Sequence, residues 1–329
     1  MKNIPGMKNI PQDEFPARPR LVFMGTPEFA VPPLKALIEA GHQVPAVVTQ
    51  PDKPKGRGRK TEPSPVKQFA LAHSIEVLQP EKASEDLFCE TIERIKPDLV
   101  IVVAFGQILK KKLLAIPKWG VINIHASLLP KLRGAAPIPW AILNEDTRTG
   151  LTIMQMDEGL DTGPVLFQKE VPILENDTAG ELGDRLSALA GELMVGTLKD
   201  LAENRLIAKP QDHGSATYAP KIEREKSIID WTQSARRLSA LIRGLDPKPG
   251  AYSFLHEKEL KVFSPRVVEE KGVDFIPGRV AGYQQGLLLI ETGQGRIGIG
   301  ELQYPGKKRL AADAFLRGFP MPEGTLLGK

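Results

Sequence analysis

The stretch from Trp119 to Gly134, WGVINIHASLLPKLRG, constrains the fold more than any other part of the chain. Its run Val121-Ile122-Asn123-Ile124-His125 has the apolar character of a strand buried in an α/β sheet, yet it carries two polar residues. Asn123 and His125 are two apart, so the alternation of strand side chains puts them on one face. Buried polar groups need partners or a ligand, and open α/β sheets bind ligands at the carboxyl ends of their strands. A carboxamide N–H and an imidazole aimed at one point suit polarising a carbonyl and holding the oxyanion formed on attack. A carboxylate to orient the imidazole is offered by Asp161, in a predicted tight loop within Met154–Gly163. The alternative is a hydrogen-bonded core histidine and a turn-forming aspartate.

Around this stretch, strands alternate with helices. Strands are predicted at Arg20–Met24, Val44–Thr49, Glu76–Leu78 and Leu99–Ala104, with helices ending at Glu39 and spanning Val66–His73 and Ser84–Ile95. That order predicts a doubly wound, Rossmann-like parallel sheet. The strand–Gly25–helix opening lacks the later glycines of a dinucleotide fingerprint, which argues against NAD(P). Phe105-Gly106-Gln107-Ile108 follows a strand end and either lines a flat-ring pocket or is a simple turn. After Gly163 come an extended stretch Val165–Pro172, a helix near Thr178–Glu203 and a Pro-, Gly- and polar-rich segment that reads as a linker. Beyond Arg224 a helix near Ser234–Leu245 precedes five short strands and a helix at Ala311–Arg317, the pattern of a small OB-like β-barrel. The expected organisation is a disordered extension at 1–19, a catalytic domain at 20–206, a linker at 207–223 and the barrel at 224–329.

Length agrees, since 329 residues exceed one comfortable core. No apolar run approaches the ~20 residues of a membrane helix, so no membrane association is expected. The single cysteine, Cys89, excludes an internal disulfide and a Cys-based zinc site and fits a reducing cytoplasm; no metal site is expected. The opening MKNIPGMKNIP repeats itself, which leaves open whether Met7 is the start, and it resembles neither a secretory signal nor a transit peptide. Charge is uneven: residues 224–329 hold 17 basic against 12 acidic residues, a net of +5, while the whole chain nets +4. A basic barrel beside a catalytic domain suits a large polyanionic substrate, and Lys307, Lys308 and Arg309, with Arg236, Arg237 and Arg243, are its cations. The segment Gln50–Pro65, with Lys53, Lys55, Arg57, Arg59 and Lys60 among prolines and glycines, reads as a flexible loop that is either solvated surface or a clamp for RNA phosphates.

The strings Asn123-Ile-His-Ala-Ser-Leu-Leu-Pro130, Arg133-Gly-Ala-Ala-Pro137 and Gly159-Leu-Asp-Thr-Gly163 resemble the signature of the folate-dependent formyltransferases. Met24-Gly-Thr-Pro-Glu-Phe29 and Gln50–Gly58 point to the members that act on charged tRNA, and the resemblance runs from about Arg20 to the C-terminus. It implies 10-formyltetrahydrofolate as donor and the α-amine of methionine on initiator tRNA as acceptor, with no DNA, no metal and a monomer. It further implies that Asn123 and His125 hold the formyl oxygen while Asp161 tunes His125 and helps move the proton. The folate is expected at Ser127, Leu128, Leu129 and Pro130 and, largely through backbone groups, at Phe105, Gly106, Ile108 and Asp157. The tRNA is expected at Lys55, Arg57, Arg59, Lys60, Lys307 and Lys308. The competing readings are formylation of glycinamide ribonucleotide or of a nucleotide-linked amino sugar, hydrolysis of formyl-folate, and a non-enzymatic RNA-binding protein. The last leaves Asn123, His125 and Asp161 without a purpose.

Overall fold

A computed structural model describes residues 14–55, 60–269 and 275–328. The chain divides into two compact units, one of Met1–Pro137, Thr149–Val171 and Gly183–Pro220, the other of Ile138–Arg148, Pro172–Leu182 and Lys221–Lys329. These bounds differ from those expected. Two short pieces of the expected catalytic domain belong with the C-terminal part, and the expected linker up to Pro220 belongs to the first unit.

In the first unit the strands are β1 (Arg20–Gly25), β2 (Gln43–Val48), β3 (Lys53–Lys55), β4 (Lys60–Glu62), β5 (Glu76–Leu78), β6 (Leu99–Val103), β7 (Val121–His125), β8 (Arg148–Gln155) and β9 (Val165–Pro172). All but β3 and β4 form one seven-stranded sheet of order β5-β2-β1-β6-β7-β8-β9. From β5 to β7 its pairings are parallel, and β8 then runs antiparallel to β7. Between the strands lie α1 (Val31–Glu39), α2 (Pro65–Ala72), α3 (Asp86–Ile95), α4 (Lys111–Leu114) and α5 (Pro137–Leu143), with the long α6 (Ala179–Ala202) after β9. This is the doubly wound, Rossmann-like arrangement that the alternating pattern requires. All five residues of β6, LVIVV, are buried, and Val100 and Val102 pack with Phe88 and Ile92 of α3. Helix α2 starts where its sequence directs: the Ser64 hydroxyl accepts the Lys67 N–H at 3.1 Å, and Pro65 fills a position whose N–H would have no helical partner.

Two expectations change here. The basic segment after β2 is a two-stranded hairpin, Lys53 pairing with Glu62 and Lys55 with Lys60. Its root is fixed by polar contacts that a reading of composition does not see. Lys67 Nζ donates to Asp52 at 2.5 Å and to Gln79 at 2.7 Å, and the Thr49 and Ser64 hydroxyls lie 2.7 Å apart. The first thirteen residues of the expected extension lie outside the described part, but Phe15 is buried edge-on against Trp119, centroids 5.0 Å apart. An apolar ring with an aromatic partner is not a disordered residue.

The second unit is an antiparallel sheet carrying two helices. After α7 (Ala235–Gly244) come β10 (Tyr252–Leu255), β11 (Lys258–Glu269), β12 (Val280–Gln284), β13 (Leu287–Glu291), β14 (Arg296–Gln303), β15 (Leu310–Ala311) and α8 (Ala312–Gly318). The sheet order is β10-β11-β14-β13-β12, with β15 on β14. Two links are two-residue turns with both residues at positive φ, His256-Glu257 and Gln285-Gly286, the geometry that matches strand twist in a hairpin. Leu238 and Ile242 of α7 pack with Leu260, Val262, Ile290 and Ile299 of the sheet.

The α7 arginines explain the unit boundary. Arg236 pairs with Glu145 at 2.8 Å, Arg237 donates to the Leu143 carbonyl, and Arg243 donates to the Asp177 carbonyl at 3.0 Å. Counted among the cations of the basic barrel, they tie residues 138–148 and 172–182 to the C-terminal sheet. Arg309 is likewise engaged, with Asp246 at 2.8 Å and Glu301 at 2.5 Å while lying 4.0 Å over the Phe263 ring.

Candidate active site

Strand β7 carries both expected side chains on one face. Asn123 stands opposite Met154 of β8 and His125 opposite Thr152, and directly opposed residues share a face. Both polar residues are buried, at 8% and 6% exposure. The Asn123 carboxamide makes no hydrogen bond among the described residues, so its donors are free for a ligand. The His125 ring is fully committed on one side, with Nε2 2.9 Å from the Leu132 carbonyl. A carbonyl only accepts, so Nε2 carries the proton and a neutral ring presents a lone pair at Nδ1. That lone pair faces Asp161 Oδ2 at 3.7 Å, too far for a direct hydrogen bond. With Nδ1 unprotonated, two acceptors thus face each other.

Asp161 is set by its own loop. Its Oδ2 accepts the Gly134 N–H at 2.8 Å, and its φ of +52° is left-handed, a conformation costing about 1–2 kcal/mol for a residue with a side chain. The glycines are needed for space: a Cβ on Gly163 would lie 1.8 Å from the Gln155 carbonyl oxygen, and one on Gly134, at φ +117°, would lie 2.9 Å from that of Ala219.

The turn after β7 is built as tightly. Thr152, wholly buried, donates to the Ser127 carbonyl at 2.6 Å and accepts from the Leu129 N–H at 3.1 Å and from Gln168 Nε2 at 3.0 Å. One hydroxyl hydrogen and two lone pairs are thereby all used. Gln168 also reaches the Leu129 carbonyl at 2.6 Å, and the Ser127 hydroxyl donates to the Lys131 carbonyl at 2.6 Å. Ser127 and Leu129 are buried while Leu128 and Pro130 are half-buried, so this stretch offers a ligand shape more than free polar atoms.

The remaining expected folate residues divide. The Phe105 ring is in the core, and its carbonyl takes Thr26 Oγ1 and Gln50 Nε2, each at 3.0 Å; Gln50 Nε2 also reaches the Gly106 carbonyl at 3.0 Å. The backbone N–H groups of Gly106, Gln107 and Ile108 have no partner among the described residues, and the Ile108 side chain is 83% exposed. What this stretch presents to a ligand is amide donors and one apolar side chain. Asp157 closes its own turn, Oδ1 accepting the Gly159 N–H at 3.0 Å and the Thr162 hydroxyl at 2.6 Å.

Of the expected cations, Lys55 and Lys60 form the last pair of the β3–β4 hairpin, and Arg57 and Arg59 lie outside the described residues. Lys307 and Lys308 are exposed and have no acidic partner among the described residues.

Sequence reading missed Thr152, Gln168, Arg133 and Gln211. Thr152 carries the same signal as Asn123, a polar residue within an apolar strand, Leu151-Thr-Ile-Met154. Gln211 sits in the segment read as a linker, which instead runs beside the turn. Leu132 N donates to Thr217 Oγ1 at 2.9 Å, Arg133 N to the Thr217 carbonyl at 2.9 Å, and Ala219 N to the Arg133 carbonyl at 2.7 Å.

A buried free carboxamide beside an imidazole–carboxylate pair fits acyl-type transfer, and comparison with known proteins agrees. Residues 221–320 match the model described as formyl transferase, C-terminal domain, and residues 19–198 match that described as formyl transferase. Methionyl-tRNA formyltransferase of Pelotomaculum thermopropionicum is 50% identical over 310 residues, covering 94% of this chain and 99% of that protein. The enzyme of the same name from Geobacter sulfurreducens is 48% identical over 310 residues, covering 94% and 97%. The solved structure of HypX from Aquifex aeolicus in complex with tetrahydrofolic acid aligns with a TM-score of 0.64 at 20% identity. It covers 95% of this chain and 51% of that one, so this chain spans about half of HypX and the likeness is one of fold. With both domain models matched in order and half of the residues shared with relatives of the same length, this chain belongs to the formyl transferase family.

Proposed function

We propose that this protein transfers the formyl group of 10-formyltetrahydrofolate to the α-amine of methionine carried by initiator tRNA. The observation that carries the reading is the 50% identity with a methionyl-tRNA formyltransferase along 94% of the chain. The site supplies matching chemistry. A flat ring bearing donors and acceptors fits the free amides of residues 106–108 and the Ile108 side chain, with Ser127, Leu128, Leu129 and Pro130 giving shape. Bound there, the folate supplies the formyl carbon that the amine attacks.

The roles of the residues follow from their hydrogen bonding. Asn123 is the free donor, and it stabilises the carbonyl oxygen as charge gathers there, a contribution whose loss typically slows catalysis about 10²–10³-fold. His125 Nδ1 accepts the proton that the amine must release and returns it to the departing nitrogen, while Asp161 faces the resulting imidazolium. This differs from the expectation that His125 shares the oxyanion with Asn123, because the Nε2 proton is already given to Leu132. Amines of this kind have pKa values of about 7.7–8.0, so a histidine suffices as base. Lys307 and Lys308, with Lys55, Arg57, Arg59 and Lys60, are proposed as phosphate contacts to the tRNA. The same reading places a monomer in the cytoplasm, acting on neither DNA nor membranes.

The test is a mixture of the purified protein, 10-formyltetrahydrofolate and methionyl-initiator tRNA, followed by acid electrophoresis or mass analysis of the aminoacyl end. A blocked methionine amine is expected. An unblocked amine, together with formylation of glycinamide ribonucleotide or of a nucleotide-linked amino sugar, would assign the chain to a small-acceptor branch instead.

A further inference from the structure

The reaction assigns no work to Arg133, although its setting is unusual. The residue is 2% exposed, and its guanidinium meets no carboxylate among the described residues. Its donors go to neutral groups: Nε and Nη2 to one atom, Gln211 Oε1, at 3.1 and 2.6 Å, and Nη2 also to His213 Nδ1 at 3.1 Å. Burying a cation beside neutral partners is unfavourable, and a glutamate at 211 would answer it with an ion pair in the same space.

What a glutamate cannot do is donate. Gln211 Nε2 donates to the Asp161 carbonyl at 2.9 Å and to the Gly163 carbonyl at 2.7 Å. Both hydrogens are used, and one of them goes to the carbonyl of the residue whose backbone is left-handed and whose carboxylate faces His125. The segment bearing Gln211 is itself fixed, since Lys209 and Val165 exchange both backbone hydrogen bonds at 2.8 Å. An amide whose oxygen receives two guanidinium N–H groups has its own N–H groups polarised and becomes the stronger donor.

We infer that Arg133 and Gln211 form a positioning pair, in which the arginine fixes and polarises the Gln211 amide so that it holds Asp161–Gly163 with the Asp161 carboxylate against His125. The inference rests on the proposed formyl transfer for its kinetic readout. It places two residues outside the reacting atoms in control of the turnover step, and it gives a reason for an uncompensated charge in the interior.

The informative variant is Gln211→Glu, which supplies Arg133 with a carboxylate and removes both donors to the loop. Melting temperature should stay within a few degrees of the wild type, the ion pair with Arg133 offsetting the two carbonyls left without a donor, while kcat falls about 10–100-fold, the scale seen when groups that orient a reacting residue are lost. KM for folate and for charged tRNA should stay within about threefold of the wild-type values, because neither is touched. Wild-type kcat in a folded Gln211→Glu protein overturns the inference, as does a loss of kcat that merely tracks a loss of stability. If that variant does not fold, the double variant Arg133→Met/Gln211→Leu removes the buried charge and the donors together. Retained kcat there is equally fatal. Amide exchange at Gly134, whose N–H is held by Asp161 Oδ2 at 2.8 Å, supplies a readout independent of activity. It should quicken about tenfold or more in either variant, and unchanged exchange overturns the inference even where the wild type proves inactive on tRNA and the functional reading itself has failed.

Discussion

Replacing Thr152 with valine keeps the shape of a wholly buried side chain and deletes one oxygen. Three contacts go: the bond to the Ser127 carbonyl at 2.6 Å, the one from the Leu129 N–H at 3.1 Å, and the one from Gln168 at 3.0 Å. Gln168 keeps the Leu129 carbonyl at 2.6 Å, so two backbone groups are orphaned. At about 1.5 kcal/mol for each buried unsatisfied group, the loss is about 3 kcal/mol. The extra methyl returns about 0.8 kcal/mol of burial, leaving about 2 kcal/mol net. For a domain of this size that lowers the melting temperature by about 4–8 °C. The turn also carries Leu132, whose carbonyl holds His125 Nε2 at 2.9 Å, so kcat should fall as well. The assay is thermal unfolding followed by far-ultraviolet circular dichroism, alongside formyl transfer. Thr152→Ser, which restores the hydroxyl and loses only a methyl, should recover most of the kcat. A Thr152→Val protein that melts within about 1 °C of the wild type would show that the hydroxyl is not what closes this turn.

Asn123→Ala should lower kcat about 10²–10³-fold with little change in melting temperature, because in the proposed reaction the carboxamide stabilises charge only in the transition state; steady-state kinetics with a melt decides it. Asp161→Asn keeps an acceptor for the Gly134 N–H and loses the charge facing His125, so the protein should fold and turn over orders of magnitude more slowly, and wild-type turnover would remove Asp161 from the mechanism. Gly163→Ala puts a methyl 1.8 Å from the Gln155 carbonyl oxygen, so soluble yield, melting temperature and activity should all fall, and a stable active variant would mean that the loop has room to move. Lys67 and then Gln79 hold the Asp52 carboxyl below the usual carboxylate range. A depressed folded-state value means stability present above about pH 4 and lost on further acidification; the melting deficit of Asp52→Asn should therefore be full at pH 7 and shrink progressively as pH falls below about 4. Lys307→Ala/Lys308→Ala should raise KM for charged tRNA and flatten its dependence on salt by roughly one to two phosphate contacts, leaving KM for folate alone.

The sequence showed the alternation of strands and helices, and the Asn123–His125 pair, because both are local: period-two geometry fixes which side chains share a face whatever surrounds the strand. Asp161 was readable from its glycines, whose lack of a side chain is a property of one turn. Gln211 was not, since its use depends on the chain returning past Val165 some fifty residues after the loop it holds. Composition made residues 207–220 look like a spacer because polar side chains that bind backbone cannot be told from those that bind water. The same blindness overstated the arginines of α7 and Arg309, whose charges were counted correctly but whose partners Glu145, Asp177 and Asp246 lie far away in the sequence.

Gln50 ties the basic hairpin to the stretch with open amides. Its carboxamide nitrogen grips the carbonyls of Phe105 and Gly106, and its oxygen receives Lys53 Nζ from β3 at 2.9 Å. If the hairpin takes the tRNA and residues 105–108 the folate as proposed, Gln50 makes one side chain common to both contacts, so that ordering of either would be felt at the other. Reciprocity makes such a tie symmetrical, so whatever factor one co-substrate adds to the affinity of the other is repaid unchanged in the opposite direction, through a latch one side chain wide.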